Sequence, residues 1–345
     1  MIKEYLINIK RSKFWYYFLY IFFLPTFNFI WKNLININAR ILYFLWFTKK
    51  REKFKLNKNF YLAVKNDPEY IDLAKSIKNF INEKKINDIL NNKEKYLKDN
   101  SKRSSDLTNF KFDINDELPN SLKEKILKFA ISEKNFSTAA NYFGVIPTIS
   151  LISLHINTPV QNEKERGSML WHKDDFGFKC LDLFLTIDQL NDDNGPLYYL
   201  KNGSKLGSLS KIENIIENPR YGERNKVKVD EFNKIYKETE IGKFVGNSGD
   251  AIFIDSCSTY HRGGYCKLKH RIMLRITYQT RDSIRKSVLK KEFLKGDEFK
   301  GIYNNIFYKY SVLSKKNYLI EFFRLPKILL FILSLLHFKI SSKKN

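Results

Sequence analysis

From about Thr148 onward the chain changes into a series of short β-rich runs, and this change most constrains its fold. The runs read ISLISLHI, LDLFLTI, LYYL, KFVG, AIFID and RIMLRITY, and Asp, Asn and Gly turns separate them. Several short strands without long intervening helices are typical of a β-sandwich or jelly roll. We therefore predict a mainly β core over about residues 145–280, with flanking helices.

The sequence on either side of this core has patterns that are typical of helices. Apolar residues recur at helical spacing over 71–81 and 122–131, so residues 60–140 are predicted to be mainly helical. We divide the 345 residues into three parts. These are a basic, aromatic and apolar N-terminal helical segment (1–58), a central domain (59–285) and a C-terminal helical, apolar and basic extension (286–345).

The net charge of +24 is unevenly distributed. Sixteen of these excess positive charges lie within residues 1–60 and 315–345. A nucleic-acid-binding protein more often carries its basic stripe on the folded domain, among surface aromatic residues. Nucleic acid is therefore disfavoured as a partner.

Two apolar segments accompany the terminal charge, Phe14 to Trp31 and Leu325 to Phe338. They are interpreted as interfacial helices beside anionic lipid, as helices packed on the domain, or as membrane-spanning helices. The charge distribution favours the first, which predicts peripheral membrane association through the termini. The three cysteines have no paired spacing, so neither a thiolate metal site nor a disulfide framework is indicated. We expect a cytoplasmic protein, and peripheral association would place it at the inner face of the membrane.

Two of the five histidines lie in contexts that indicate chemistry. In Trp171-His172-Lys173-Asp174, the imidazole of His172 and the carboxylate of Asp174 would share one face of a strand. His261 follows the apolar run AIFID and could complete a set of three ligands. Two histidines and one carboxylate on one side of Fe(II) leave the other positions open for 2-oxoglutarate and O2.

Arg271, ten residues after His261, begins the run RIMLRITY. A guanidinium group can bind a carboxylate through two parallel hydrogen bonds, which suits the distal carboxylate of 2-oxoglutarate. Arg275 lies on the same strand face, so the choice between the two arginines stays open. His155 precedes the site on an earlier strand and could face the pocket, but we interpret it as a core histidine.

Four motifs in this order resemble the phytanoyl-CoA dioxygenase family of Fe(II)/2-oxoglutarate oxygenases. They read WHKDD, DNGPLYYLKNGS, GDAIFIDSCSTYHRGGY and HRIMLRITY, and they cover about residues 171–278. The resemblance implies a double-stranded β-helix, the cupin-like jelly roll. It also implies a dioxygenase that converts 2-oxoglutarate to succinate and CO2 while it hydroxylates an unactivated carbon.

Within this resemblance, His172, Asp174 and His261 match the iron ligands, and Arg271 matches the residue that binds 2-oxoglutarate. Three departures affect the anchoring of the co-substrate, and one of them is Asn202, which stands where a proline is usual before Gly203. Lys205 stands where a histidine is usual, and Gly263 stands where some members carry a hydroxyl group. Asp174 disfavours the related halogenases, which have a small residue there, and so favours hydroxylation.

The substrate class stays open among small molecules, lipids and carrier-linked metabolites, because a fold and its metal site are shared across very different substrates. The alternative function is a catalytically inactive jelly-roll binding or scaffold protein at a membrane surface.

Overall fold

The computed structural model describes residues 37–54, 56, 61–92, 111–159, 167–174, 180–201, 226–280, 305, 307 and 311. The strands of these ranges are β1 (Tyr61–Val64), β2 (Lys111–Asp113), β3 (Thr148–Asn157), β4 (Cys180–Thr186), β5 (Leu197–Leu200), β6 (Ile241–Phe244), β7 (Ala251–Ile254), β8 (His261–Gly263) and β9 (Arg271–Gln279). The helices are α1 (Ile37–Trp46), α2 (Pro68–Phe80), α3 (Glu83–Asn91), α4 (Asn120–Ala130), α5 (Glu133–Phe143) and α6 (Val229–Ile235).

Both predicted terminal apolar segments, 14–31 and 325–338, lie outside the described residues. In the ranges that are described, no helix has the length and apolar character needed to cross a bilayer.

The described strands form two antiparallel sheets. The larger sheet has the order β1-β7-β4-β9-β3-β2, and the smaller has the order β6-β5-β8. Along the chain, β4, β7 and β9 belong to the larger sheet, while β5, β6 and β8 belong to the smaller one. A chain that winds back and forth between two facing sheets is a double-stranded β-helix, so the predicted jelly-roll fold is confirmed.

Strand alternation gives the larger sheet two different faces. On β9, Ile272, Leu274, Ile276 and Tyr278 belong to a buried cluster that also contains apolar side chains of α2, α4 and α5. The intervening residues of β9 face the inside of the jelly roll, where Met273 packs with residues of both sheets. The helices therefore cover the outer face and leave the inner face for the site.

The helices predicted from apolar spacing are confirmed, since α2 and α4 occupy the two periodic stretches. Asp67 caps α2 by accepting a hydrogen bond from the backbone N–H of Glu69, and Pro68 occupies the first turn. The prediction of a mainly helical 60–140 region missed β1 and β2, which have four and three residues. Strands this short offer too few positions for an alternating pattern to be visible.

The turn before β5 requires glycine. Gly195 has φ of +79°, and a Cβ atom there would lie 2.4 Å from the carbonyl oxygen of Gly264. The two backbones approach so closely that the N–H of Gly264 donates to the carbonyl of Pro196 over 2.6 Å. The predicted glycine turn is thus confirmed, and it also joins the turn before β5 to the chain that follows β8.

We expect Gly195→Ala to lower the free energy of unfolding by about 3 kcal/mol, because backbone strain and steric overlap combine. Gly144→Ala is the matched control. Gly144 also has positive φ, +67°, but a Cβ there would have nothing within 4 Å, so we expect a loss of about 1 kcal/mol. Urea denaturation of both variants measures the difference, and equal losses would contradict the crowding argument.

Candidate metal centre

His172 and His261 are joined by a short antiparallel bridge. The backbone N–H of each donates to the carbonyl of the other, and both N···O distances are 3.0 Å. The imidazole centroids lie 4.5 Å apart. His172 lies outside any regular strand, so the strand predicted for the His172–Asp174 motif is limited to this bridge.

Backbone carbonyls orient both imidazoles. Nδ1 of His172 lies 2.8 Å from the carbonyl oxygen of Leu170, and Nδ1 of His261 lies 3.1 Å from that of Thr259. A carbonyl oxygen only accepts, so Nδ1 carries a proton in each ring, and in the neutral form the lone pair is on Nε2. This is the tautomer that a histidine needs to bind a metal through Nε2.

Asp174 brings its carboxylate to the two Nε2 atoms. Its Oδ1 lies 3.8 Å from Nε2 of His172, and its Oδ2 lies 4.0 Å from Nε2 of His261. The backbone N–H of Asp174 donates to the carbonyl of Ser256 over 2.8 Å, which attaches this residue to the turn after β7. One donor atom from each of the three residues lies within 4.8 Å of the others, so the structure brings the predicted ligands together.

Arg275 connects Asp174 to the wall of the jelly roll. Its Nη2 donates to Oδ2 of Asp174. Its Nε and Nη2 also donate to the two carboxylate oxygens of Asp182, over 2.9 and 2.7 Å. Asp182 is fully buried and accepts further hydrogen bonds from the hydroxyls of Thr277 and Ser256. Because Arg275 occupies Oδ2, Oδ1 is the oxygen of Asp174 that is left for a metal ion.

The charges of this network favour metal binding at neutral pH. Burial by itself raises the pKa of Asp174, but the guanidinium of Arg275 brings that pKa well below its usual range. Burial, followed by the proximity of His261, lowers the pKa of His172 to about 3. The carboxylate is therefore ionised and the imidazole of His172 neutral, which is the state that a metal ligand requires.

Arg271 lies in the same cavity but in different surroundings. Its guanidinium donates to the carbonyl oxygens of Gly195 and Gly264 and to the side-chain oxygen of Asn157. In the part of the chain that the structure describes, all of these partners are uncharged. Burial lowers the pKa of Arg271 from its ordinary value. A buried cation without a counter-charge favours binding of an anion.

The cavity between the two sheets has a volume of about 510 Å³, including its open mouth, and is lined by both histidines, Arg271 and Arg275. Lys111 and His155 also line it. Burial, followed by the charge of Arg275, lowers the pKa of Lys111 to about 8. Burial and then the charge of Lys111 hold the pKa of His155 well below its ordinary value. One wall is therefore rich in positively charged and histidine side chains.

Sequence reasoning missed several of these residues. We predict from the sequence that His155 is a core histidine, yet the structure places it on the wall of the cavity. Lys111 belongs to a three-residue strand that gave no signal. Asp182 could have been noticed as an acidic residue inside the apolar run LDLFLTI. Gly263 has a steric role here, because a Cβ at that position would lie 2.9 Å from Nη2 of Arg271.

No known family profile and no curated protein matches the sequence. The resemblance to the phytanoyl-CoA dioxygenase family therefore stays a prediction. Similar solved structures include the non-heme alpha-ketoglutarate-dependent carbocyclase SnoK from nogalamycin biosynthesis, with 12% identity, a TM-score of 0.40 and coverage of 70% of this chain and 90% of SnoK.

AviO1 from Streptomyces viridochromogenes Tue57 has 13% identity and a TM-score of 0.41, with coverage of 66% of this chain and 93% of AviO1. EctD from S. alaskensis, solved with 2-oxoglutarate and 5-hydroxyectoine, has 13% identity and a TM-score of 0.40, with coverage of 65% of this chain and 73% of EctD. These similarities are remote, and the residues of the site itself carry the assignment of its chemistry.

We expect Arg275→Lys to weaken divalent metal binding by about 10- to 100-fold, the range for loss of a partner that orients a metal ligand. A lysine keeps the charge but lacks the planar fork that bonds Asp182 through two nitrogens while also reaching Asp174. Calorimetric titration with Mn²⁺ measures the affinity. Arg271→Lys is the control, since Arg271 has no contact with the three ligands, and we expect wild-type affinity for Mn²⁺ without any co-substrate. Equal losses in the two variants would contradict this role of Arg275.

Proposed function

We propose that this chain is a mononuclear non-haem Fe(II) enzyme that uses 2-oxoglutarate and O2 to oxidise its substrate. The observation that carries the proposal is the arrangement of two kinds of group in one cavity. Three metal-binding side chains converge on one point, and a buried guanidinium with only uncharged partners lies beside them.

The donor set fits Fe(II). His172, Asp174 and His261 supply two imidazole nitrogen donors and one carboxylate oxygen, the facial set of iron oxygenases. Structural zinc sites have four protein ligands, usually including cysteine thiolates. Among the described residues this cluster has three donors and none is a thiol, so open positions are left for a co-substrate.

Arg271 is the group we assign to the distal carboxylate of 2-oxoglutarate. Arg275, the alternative, already forms ion pairs with Asp174 and Asp182. Desolvation of Arg271 is costly, and an incoming carboxylate offsets that cost by ion pairing and two parallel hydrogen bonds. Lys111 adds a second positive charge to the same cavity, which supports binding of a dianion.

When bound together, Fe(II) and 2-oxoglutarate activate O2 and allow attack on an unactivated C–H bond, with release of succinate and CO2. The residues of the chain have separate tasks in this chemistry. The backbone carbonyls of Leu170 and Thr259 place the proton of each neutral imidazole on Nδ1, which leaves Nε2 as the nitrogen that can bind a metal. Arg275 leaves Asp174 a single available oxygen. Asp174 stands where the related halogenases have a small residue, and it therefore favours hydroxylation over halogenation. The substrate we propose is a small molecule, a lipid or a carrier-linked metabolite.

We expect wild-type protein with Fe(II), ascorbate and 2-oxoglutarate to form succinate, and Asp174→Ala to form none. Arg271→Gln should raise the KM for 2-oxoglutarate by at least about tenfold, as expected for loss of a charge-assisted hydrogen bond. Anaerobic absorption spectra supply a second measurement that needs no substrate. Wild type should show the charge-transfer band of 2-oxoglutarate bound to Fe(II), and Arg271→Gln should require more 2-oxoglutarate to show it.

Arg262→Gln is the matched control. Arg262 is the next residue after His261 in the chain, but it does not line the cavity. Its guanidinium packs over the rings of Trp171 and Tyr198 instead. The alternative is an inactive jelly-roll binding or scaffold protein. Absence of succinate together with identical spectra of wild type and Asp174→Ala would favour that alternative.

We also propose that the termini associate with a membrane surface. Support comes from α1, where Ile41, Phe44 and Leu45 are exposed by 54, 70 and 53%. The basic run 49–51 follows this helix directly. Apolar side chains beside lysines suit an interface with anionic lipid.

We expect the full chain to sediment with anionic lipid vesicles. Phe44→Asp should weaken this binding by about tenfold, a smaller loss of affinity than the full burial of a phenylalanine side chain would produce. Leu268→Asp is the control, because Leu268 is 73% exposed but lies in the loop before β9. An absence of any affinity for vesicles would refute the proposal.

A further inference from the structure

Cys180 and Cys257 are in direct contact, although 77 positions separate them in the sequence. Their Sγ atoms lie 3.2 Å apart. Cys180 is fully buried at the start of β4, and Cys257 is partly exposed in the turn after β7. Asp182 of β4 pairs with Ile254 of β7 in antiparallel register, so both thiols lie at the same end of this strand pair.

This end of the strand pair also holds the metal centre. Cys180 follows Asp174 by six positions, and Cys257 precedes His261 by four. Ser256, the neighbour of Cys257, has three contacts that link the thiols to the ligands. Its carbonyl accepts from the N–H of Asp174 over 2.8 Å, its hydroxyl donates to Asp182, and its Oγ lies 2.9 Å from Sγ of Cys180.

The groups around the thiols favour an uncharged product over a metal complex. Burial, followed by the proximity of Cys257 and of Asp182, raises the pKa of the Cys180 thiol. Asp255 could in principle join the two sulfurs as a metal ligand, since the three donor atoms lie within 4.8 Å of one another. Its oxygens, however, already accept hydrogen bonds from Tyr142, Ser258 and the backbone of the turn.

We propose that Cys180 and Cys257 form an oxidisable dithiol, and that its oxidation to a disulfide by a peroxide weakens metal binding at the adjacent centre. The first part stands on the geometry of the thiols alone. The second part rests on the proposed function, because it assumes that His172, Asp174 and His261 hold a metal ion.

The reaction proceeds in two balanced steps. Cys257, the more exposed of the two, attacks hydrogen peroxide as its thiolate and becomes a sulfenic acid, and the hydroxide that leaves takes up the thiol proton to form water. The sulfur of Cys180 then attacks the sulfenic sulfur, and a second water leaves. Overall, two thiols and one peroxide give one disulfide and two waters.

A disulfide holds its sulfurs about 2.05 Å apart, so oxidation brings the sulfurs of Cys180 and Cys257 roughly 1 Å closer. In our proposal, movement of the turn after β7 towards the start of β4 takes up part of this change. Ser256 moves with this turn, and Asp174 is hydrogen-bonded to its carbonyl. The carboxylate ligand would then be displaced from the two histidines. Disturbance of the groups that orient metal ligands typically lowers metal affinity by about 10- to 100-fold.

The first experiment treats the full chain, cleared of metal, with hydrogen peroxide and then alkylates it for mass spectrometry. We expect two of the three cysteines to escape alkylation and a cross-linked peptide to contain Cys180 and Cys257. The protein should lose the mass of two hydrogen atoms, and dithiothreitol should reverse this. Three alkylated cysteines, or a cross-link that involves Cys266, would overturn the proposal.

Single variants test the order of the steps. Cys180→Ser should stop at a sulfenic acid on Cys257, trapped by dimedone, whereas Cys257→Ser should leave Cys180 unmodified. Cys266→Ser is the matched control and should form the disulfide like wild type. If Cys257→Ser still loses the Cys180 thiol, the assignment of Cys257 as the attacking group is wrong.

The second experiment compares Mn²⁺ affinity of the reduced and oxidised chains. We expect the oxidised form to bind about 10- to 100-fold more weakly, with recovery after reduction and no effect of peroxide in Cys257→Ser. Equal affinities would overturn the link to the metal centre and leave the disulfide result standing. A reduced wild-type chain that binds no Mn²⁺ would instead refute the proposed function.

Discussion

The buried ion pair between Arg275 and Asp182 is the interaction on which the rest of the site depends. Both groups lie inside the jelly roll, where an unpaired charge costs several kcal/mol. The two contacts of Arg275 with Asp182 use the N–H of Nε and one N–H of Nη2, and the second N–H of Nη2 goes to Asp174. The position of the carboxylate ligand is thus fixed by an arginine that is itself fixed by a second, fully buried carboxylate.

Both arginines lie on strand β9, and the alternation of side chains along the strand directs them to the same face. Arg271 and Arg275 are four residues apart, so they share the inner face and start about 13 Å from each other along the strand. One serves the metal ligand Asp174, and the other faces the cavity with uncharged partners. The helices packed on the outer face keep this strand buried, which makes the inner positions rigid enough to hold charged groups in fixed directions.

The turn after β7 joins these features to the thiol pair. Asp255 shapes the turn by accepting from the backbone N–H groups of Cys257 and Ser258. The same turn contacts Asp174 through Ser256 and leads into His261. One short segment therefore contacts Asp174 through its backbone and is continuous with His261.

Much of this could be predicted from local sequence. The alternating apolar runs gave six of the nine described strands, and the helical spacing gave α2 and α4, because backbone periodicity leaves a direct trace in sequence. The three candidate metal ligands could be proposed because chemistry requires particular residue types, and the structure brings their donor atoms within 4.8 Å of one another. The family resemblance assigned Arg271 to the carboxylate of 2-oxoglutarate, whereas the residues alone did not decide between Arg271 and Arg275.

The sequence by itself therefore determined the β core, the three candidate ligands and the pair of candidate arginines. Only the tertiary structure decided which arginine is engaged by carboxylates, placed Lys111 and His155 on the cavity wall, and brought Cys180 against Cys257. The physical reason is that each of these facts depends on contacts between residues far apart in the chain. Asp182 and Arg275 are 93 positions apart, and no local pattern records that they meet.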